Sequence, residues 1–354
     1  MSLLLNQPSK LCLRKPVLVR SSAPISNGLS PSLPQIPPHF AVAITCTDPC
    51  RPELVNLICS RSTSCLQSYY DTLEIAYERR KIMMKEKKIG SSHGWVATLK
   101  DDGLVCLQDE LILNAFSSAS EPKHIPLPPL VTLPHCQTQI VTNMAMSTSS
   151  PEEDDCVVAI KFLGPQLSFC RPAQNNSEWT NIRIENPCFF SSPVVFAEKD
   201  GMFRIPGSGG HLIGSWDLHN ANPNPKFQRM QYQNLPKLTK TESKLMDSCC
   251  RSEHLVESRT TGEMFLVKWY KKTSGKIIKG IGKLKTKALM VYKLDGDGNA
   301  VYTQDIGDLF MYFIKSDPFC VPTNSRRPLP PNRVFILDVD ESRRVSLCRT
   351  PFKL

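Results

Sequence analysis

The sequence predicts an all-β fold. Short apolar runs recur from about residue 66 to the carboxyl end, each bounded by turn residues, and helical periodicity is nearly absent in a chain that carries 29 prolines. Hairpins at this spacing fit a sandwich, a barrel or a propeller. With 354 residues, 41% of them hydrophobic, the chain is long enough for one large all-β domain or two ordinary ones.

Residues 1–50 read as an organellar transit peptide and linker. Lys10, Arg14, Lys15 and Arg20 precede the first acid, Asp48, and Ser2, Ser9, Ser21, Ser22, Ser26, Ser30 and Ser32 accompany them. An acid-free, Arg/Ser-rich start is the composition of an import signal, and its charge suits a membrane potential that is negative inside. Leu3, Leu4, Leu5, Leu11, Leu13 and Val17 lie near the basic residues, so a short amphipathic helix limited by Pro8 and Pro16 can form. That start points to the mitochondrion; the Ser/Pro-rich continuation keeps the chloroplast in view.

Within Tyr69–Lys88, Tyr70, Leu73 and Tyr77 have helical spacing, and periodicity alone does not separate a helix from a strand pair. Trp95, Ala97 and Leu99 alternate with Val96 and Thr98, Lys100-Asp-Asp-Gly103 supplies a turn, and Leu104 to Leu107 returns. Ile125-Pro-Leu-Pro-Pro-Leu130 follows as a proline-stiffened crossing. Cys156 to Leu163 is ended by Gly164-Pro165, and Leu167 to Arg171 comes next. Three further hairpins turn at Glu198-Lys-Asp-Gly201, Thr260-Thr-Gly262 and Asp295-Gly-Asp-Gly-Asn299. Before the last turn, Leu284, Thr286, Ala288, Met290, Tyr292 and Leu294 share one face and Lys283, Lys285, Lys287 and Lys293 the other. That is the pattern of a half-buried antiparallel strand. Pro236 to Asp247 has room for one helical turn. Phe169-Cys-Arg-Pro172 and Phe319-Cys-Val-Pro322 echo each other, as if at equivalent positions of a repeat.

Several blocks are more specific than this pattern. They include Gly90-Ser-Ser-His-Gly-Trp-Val-Ala-Thr-Leu99, Leu133-Pro-His-Cys-Gln-Thr138, Lys161-Phe-Leu-Gly-Pro-Gln-Leu-Ser-Phe169 and Asn186-Pro-Cys-Phe-Phe-Ser-Ser192. Glu178-Trp179, Gly214-Ser-Trp-Asp217, Val267-Lys-Trp-Tyr270, Gln304-Asp-Ile-Gly-Asp-Leu-Phe310 and Pro318-Phe-Cys-Val-Pro322 continue the set. Together they resemble a plant family built on the domain of unknown function 295, the propeller-type domain of KIB-like F-box proteins. The match is closest to its crucifer-expanded organellar branch. The resemblance covers residues 66–340 and implies a KIB-type β-propeller, with Tyr69–Lys88 a strand pair of the first blade. At about 40–50 residues per blade, roughly 290 folded residues give about six blades. It marks Gly90, His93, Trp95, Gly103, Trp216 and Trp269 as structural motif residues. Two departures stand out. Residues 341–354 read as a short basic tail where family members continue further, which leaves ring closure open. No F-box helices precede the domain, Pro52-Glu-Leu-Val-Asn-Leu57 being the nearest approach.

No catalytic, cofactor-binding or metal-ligating set emerges. The fourteen cysteines include no Cys-x-x-Cys pair and no zinc spacing, and Cys106, Cys156 and Cys170 lie inside apolar runs as buried, reduced thiols do. Gly207-Ser-Gly-Gly210 lacks the Lys-Ser/Thr ending of a phosphate loop and precedes a strand-like run, so it reads as a blade turn. Asp295-Gly-Asp-Gly-Asn299 has Ala300 and Ile306 where a calcium loop needs glycine and glutamate, so it reads as a hairpin turn. His93, His135, His211, Ser91, Ser92 and Cys136 sit in no nucleophile motif.

The net charge of +10 owes four units to the leader, and the remainder is modest for nucleic-acid binding. Two basic runs, Arg79–Lys88 and Lys271–Lys287, offer sites for RNA or anionic lipid; without an accompanying RNA-binding motif they read as solvated strand faces with edge lysines. Pro151-Glu-Glu-Asp-Asp155 reads as an exposed acidic loop, and no apolar run is long enough for a transmembrane helix. The expectation is a non-enzymatic, organelle-targeted propeller scaffold that binds an unidentified protein partner, with no cofactor; the pattern does not encode an oligomeric state. The alternative is an F-box-type ubiquitin-ligase substrate receptor that has lost its F-box.

Overall fold

A computed structural model describes residues 87–109, 123–133, 140–314, 318–323, 331–337 and 341–347, apart from 94, 101–102, 132, 176, 221–223, 259 and 279–280, and the backbone of three earlier strands. Those strands, Val17–Ser21 (β1), Phe40–Cys46 (β2) and Val55–Cys59 (β3), pair antiparallel in a sheet of their own. The rest of the expected leader and residues 60–86, with the ambiguous stretch from Tyr69, lie outside the described residues.

Four-stranded units follow. Lys87–Ser92 (β4), Trp95–Leu99 (β5), Leu104–Asp109 (β6) and His124–Pro129 (β7) form the first. Val141–Met146 (β8), Val158–Phe162 (β9), Gln166–Cys170 (β10) and Thr180–Arg183 (β11) form the second. Val195–Ala197 (β12), Met202–Pro206 (β13), Leu212–Trp216 (β14) and Lys226–Arg229 (β15) form the third. Gln231–Gln233 (β16) and the helix Lys240–Asp247 (α1) lead to the fourth: Cys250–Ser258 (β17), Glu263–Ile278 (β18), Ile281–Leu294 (β19) and Asn299–Thr303 (β20), with β16 added parallel to β20. Leu309–Ile314 (β21), Phe319–Pro322 (β22), Arg333–Leu337 (β23) and Ser342–Ser346 (β24) form the fifth, in the order β22-β21-β23-β24. One parallel bridge, Ser258 to Cys320, joins the inner strands of the fourth and fifth units.

These units are propeller blades, and the apolar patterning explains why they stack. Along β9, Val158, Ile160 and Phe162 enter the core shared with the first blade, while Ala159 and the preceding Val157 enter the core shared with the third. Along β18, Phe265, Val267 and Trp269 face the fifth blade, while Met264, Leu266 and Tyr270 face the third. Strand period sends alternate side chains to opposite faces. Both faces are apolar because each meets a neighbouring blade. This corrects the half-buried reading of the strand before Asp295: Leu289 and Val291, on its lysine face, are as buried as Ala288, Met290 and Tyr292. The lysine-rich part of that face is exposed only further back, at Lys283 and Lys285, and at Lys293 beside the turn.

The turns form where their chemistry placed them. Gly103 closes the β5–β6 hairpin at φ +84°, a value that glycine adopts without a Cβ penalty, and its N–H donates to the Lys100 carbonyl (3.0 Å). Gly201 does the same after β12, donating to the Ala197 carbonyl (2.9 Å). The proline-stiffened crossing is β7, the outermost strand of its blade, where Pro126, Pro128 and Pro129 can lack N–H donors. Helix α1 starts with a capping box in which Thr239 accepts from the Glu242 N–H and Glu242 reaches back to the Thr239 N–H.

Among the described residues there are five four-stranded units, and most of the stretch expected to begin the first blade, residues 66–86, lies outside them. Two expectations change. Phe169-Cys170 lies on the third strand of its blade and Phe319-Cys320 on the innermost strand of another, so the echo is not a repeat position. The basic tail begins inside the fold. β24 is the outer strand of the fifth blade, Val345 and Leu347 are buried in its core, and Glu341 accepts from the Thr286 N–H at 2.8 Å.

Trp95 is buried in the core between the first two blades, and its Nε1–H donates to the Ser149 carbonyl at 3.1 Å. Trp95→Ala is expected to destabilise the domain by about 3–5 kcal/mol, read as a lower urea midpoint; an unchanged midpoint would mean the ring contributes nothing to the core.

Candidate functional site

The inner strands of the five blades line one cavity. Ser92 and His93 come from the first blade, Asn143 to Met146 from the second, Val194 to Phe196 from the third, Leu255 and Glu257 from the fourth, and Pro318 and Phe319 from the fifth. Its free volume of about 40 Å³ holds a few waters, each needing roughly 10–15 Å³. A drug-sized ligand needs several hundred.

Its polar groups are engaged by the fold. Asn143 is buried and grips Val194 in both directions, Nδ2 donating to the carbonyl (2.7 Å) and Oδ1 accepting from the N–H (2.9 Å). The Ser92 hydroxyl accepts from the Met146 N–H at 3.1 Å. The Glu257 carboxylate accepts from the N–H groups of Glu198 (2.7 Å) and Lys199 (3.2 Å), tying the fourth blade to a turn of the third. His93, at φ +53°, has Nδ1 3.0 Å from the Ser92 hydroxyl and Nε2 3.6 Å from Glu198. It stands at the end of β4 with both ring nitrogens near polar groups. Gly90 explains how the inner strands come so close: a Cβ there would lie 2.5 Å from the backbone nitrogen of Met144.

A second polar cluster occupies the seam between the third and fourth blades. Glu253, 4% exposed, accepts from Arg251 Nε at 2.7 Å and from the Gly209 N–H at 3.0 Å. The Tyr232 hydroxyl donates to the Gly210 carbonyl at 2.7 Å. The Lys268 ammonium, on a buried side chain, sits 3.9 Å over the Tyr232 ring and 5.2 Å from the centre of Tyr292. Burial, then the Arg251 charge, brings Lys268 down to about 8. Burial raises Tyr232, Tyr270 and Tyr292, and burial followed by Lys268 lowers His211. The Gly207–Gly210 turn is thus a blade turn whose backbone grips Glu253 and Tyr232, with strand β14 behind it.

The sequence-marked residues are dispersed. His93 lines the cavity, and Gly90 lies against Met144 beside it. Trp95, Trp216 and Trp269 occupy three different interblade cores, and Gly103 closes an outer turn. Trp216 packs edge-on against Phe189, and Trp269 Nε1–H donates to Thr286 Oγ1 at 2.7 Å. His135 and Cys136 lie outside the described residues. Asp295 accepts from the N–H groups of Asp297 and Asn299 (3.0 and 2.7 Å) within its own turn, where its bonds to Asn299 hold its carboxyl below the usual range. Among the described residues, no group of three or more His, Cys, Asp or Glu is placed to hold a metal, and no helix is long and apolar enough to cross a membrane. Cys106, Cys156, Cys170 and Cys320 are buried thiols, and burial pushes Cys170 up to about 12.

Sequence reasoning missed Asn143, Glu253, Glu257, Lys268 and the role of Lys161. Lys161 is wholly buried and donates to the carbonyls of Phe162, Gly164 (2.9 Å) and Phe190 (3.0 Å). A signal existed for both lysines: each is a single cation inside an apolar run, Val157 to Leu163 and Phe265 to Tyr270.

The comparisons agree with this architecture. The KIB1-4 beta-propeller family matches residues 66–350. Among solved structures, the Cps50 (Swd1) β-propeller domain of Myceliophteria thermophila is 11% identical, over 64% of this chain and 78% of that one. Its TM-score of 0.30 is too low to add to the assignment. Curated proteins give no match.

Lys268 gives the seam a pH signature. Its folded value of about 8 lies below the ordinary 10.5, so between those limits the unfolded chain holds a proton that the folded chain has released. Its contribution to stability therefore rises with pH across that window. Buried tyrosines and cysteines are raised and act in the opposite direction at high pH. Lys268→Met removes only the lysine contribution. In urea unfolding at a series of pH values, wild type should gain on Lys268→Met between pH 8 and 10.5; a constant difference would show that the ammonium titrates normally.

Proposed function

Because the chain belongs to the KIB1-4 β-propeller family, we propose that it is a non-catalytic scaffold that holds a protein partner on the rims of its blades. The observation that carries this reading is the state of the central cavity. Asn143, Ser92 and Glu257 are bonded to backbone groups of neighbouring blades, and the free space admits only waters. Recognition then falls to the loops that join the strands, which can vary while the stacked blades stay rigid. The acidic loop after Pro151 is one such element: Glu152, Glu153, Asp154 and Asp155 are all exposed, with Lys123 paired to Glu152.

The acid-free leader supports import into mitochondria or chloroplasts, as in the crucifer organellar branch of the domain-of-unknown-function-295 family. A ubiquitin-ligase receptor that has lost its F-box is the rival reading; it requires a cytosolic or nuclear location and contact with a ligase adaptor.

A reporter fused to residues 1–60 should enter mitochondria or chloroplasts; cytosolic or nuclear retention would remove the organellar part of the reading. Affinity capture of the mature protein from the organelle should recover a stoichiometric partner. Recovery of a cullin-ligase adaptor instead would favour the rival. Site-specific labelling by serine- or cysteine-hydrolase probes, lost on mutation of one residue, would favour an enzyme.

A further inference from the structure

We propose that the outer part of the β18–β19 hairpin is a docking ribbon for the surface of an anionic phospholipid bilayer. Strand β17 pairs with β18 only as far as Cys250 opposite Lys271. On the other side, β20 pairs with β19 no further back than Val291. From Lys272 outward the two strands therefore pair with each other alone, through Lys272–Lys285, Thr273–Leu284, Ser274–Lys283 and Ile278–Ile281. At about 3.3 Å per residue the ribbon reaches roughly 20 Å beyond the blade.

Its charge is one-sided. Lys271 to Lys287 contains seven lysines and no Asp or Glu. Cross-strand partners share a face, so Lys272, Lys285 and Lys283 lie together, and all three are exposed. Lys272 and Lys285 are directly opposite, an arrangement that destabilises a strand pair. At the base, the Lys272 ammonium donates to the Ser248 hydroxyl at 2.9 Å, and Glu341 binds Thr286 on the opposite face. A ribbon that opposes like charges gains when a polyanion neutralises them.

The composition of the outer end selects the polyanion. Ile278 and Ile281 are the outermost backbone pair of the ribbon, and Ile277 precedes them in the sequence. Apolar residues at the end of a lysine-bearing projection match an interface in which hydrocarbon lies beneath anionic headgroups. A nucleic-acid surface would instead call for arginine or stacking aromatics, and Lys271 to Lys287 contains neither.

The test is co-sedimentation of the full chain with vesicles of phosphatidylcholine and phosphatidylglycerol in equal parts, against phosphatidylcholine alone and against duplex RNA and DNA. Binding is expected only to the anionic vesicles. Lys272→Ala, Lys283→Ala and Lys285→Ala should each weaken it roughly five-fold, and Ile278→Ser with Ile281→Ser should weaken it further. Lys285→Glu separates this role from a structural one: vesicle binding should fall while the urea midpoint holds or rises, because the like-charge pair is gone. Three results would overturn the proposal. They are failure to bind the anionic vesicles, vesicle binding indifferent to the isoleucine variants, and lysine-dependent capture of duplex in place of vesicles.

Discussion

The fold depends on one constraint: a blade with two apolar faces is stable only between two neighbours. β9 shows it most plainly, since all five of its residues are buried and the strand divides its side chains between two cores. A sheet patterned in this way cannot face water in the manner of an ordinary antiparallel hairpin. Burial at roughly 25 cal/mol per Å² of apolar surface drives the stacking, and the radial arrangement lets one strand serve two interfaces. Near the axis the same constraint becomes steric. The backbones of β4 and β8 approach so closely at Gly90 and Met144 that no side chain fits between them.

Apolar faces do not by themselves set the angle between blades, because such contacts tolerate sliding. Side chains that bond backbone groups of the next blade supply the missing specificity. Asn143 holds Val194; Gln166 holds both the Val131 carbonyl and the Leu133 N–H at 2.8 Å; Lys161 holds the Phe190 carbonyl; Glu253 holds the Gly209 N–H. Each bond satisfies a backbone group that would be costly to leave dry. The same bonds explain why the cavity and the third seam are rich in polar residues although their polar groups serve the architecture.

The β18–β19 hairpin combines two roles along one pair of strands. Near Asp295 it is a core element, with Phe265, Val267 and Trp269 in one interblade core and Met290 and Tyr292 in another. Beyond Lys271 it has outrun the neighbours that would cover it, and its composition changes from aromatic and aliphatic to lysine-rich at that point. The change follows from burial: a lysine face is stable only where no blade lies opposite.

The strand positions and turns were legible in the sequence because they rest on local chemistry. Gly103, Gly201 and Gly298 supply positive φ, and the apolar runs alternate. The propeller itself came from the resemblance of whole blocks, since period 2 alone suits a sandwich or barrel equally. Long-range proximity was not legible. Nothing in the local pattern says that Leu289 is covered by the fifth blade, that residues 342–346 complete that blade, or that Lys268 meets Tyr232 across 36 positions of chain. Nor does it distinguish Asn143, which clamps Val194, from any asparagine in a strand. The sequence by itself determined where the sharpest turns fall and which apolar runs alternate, because φ preferences and side-chain alternation are properties of neighbours along the chain. Only the tertiary structure decided which faces are covered and which polar groups are engaged, because burial and hydrogen-bond partners come from residues that sequence separation does not reveal.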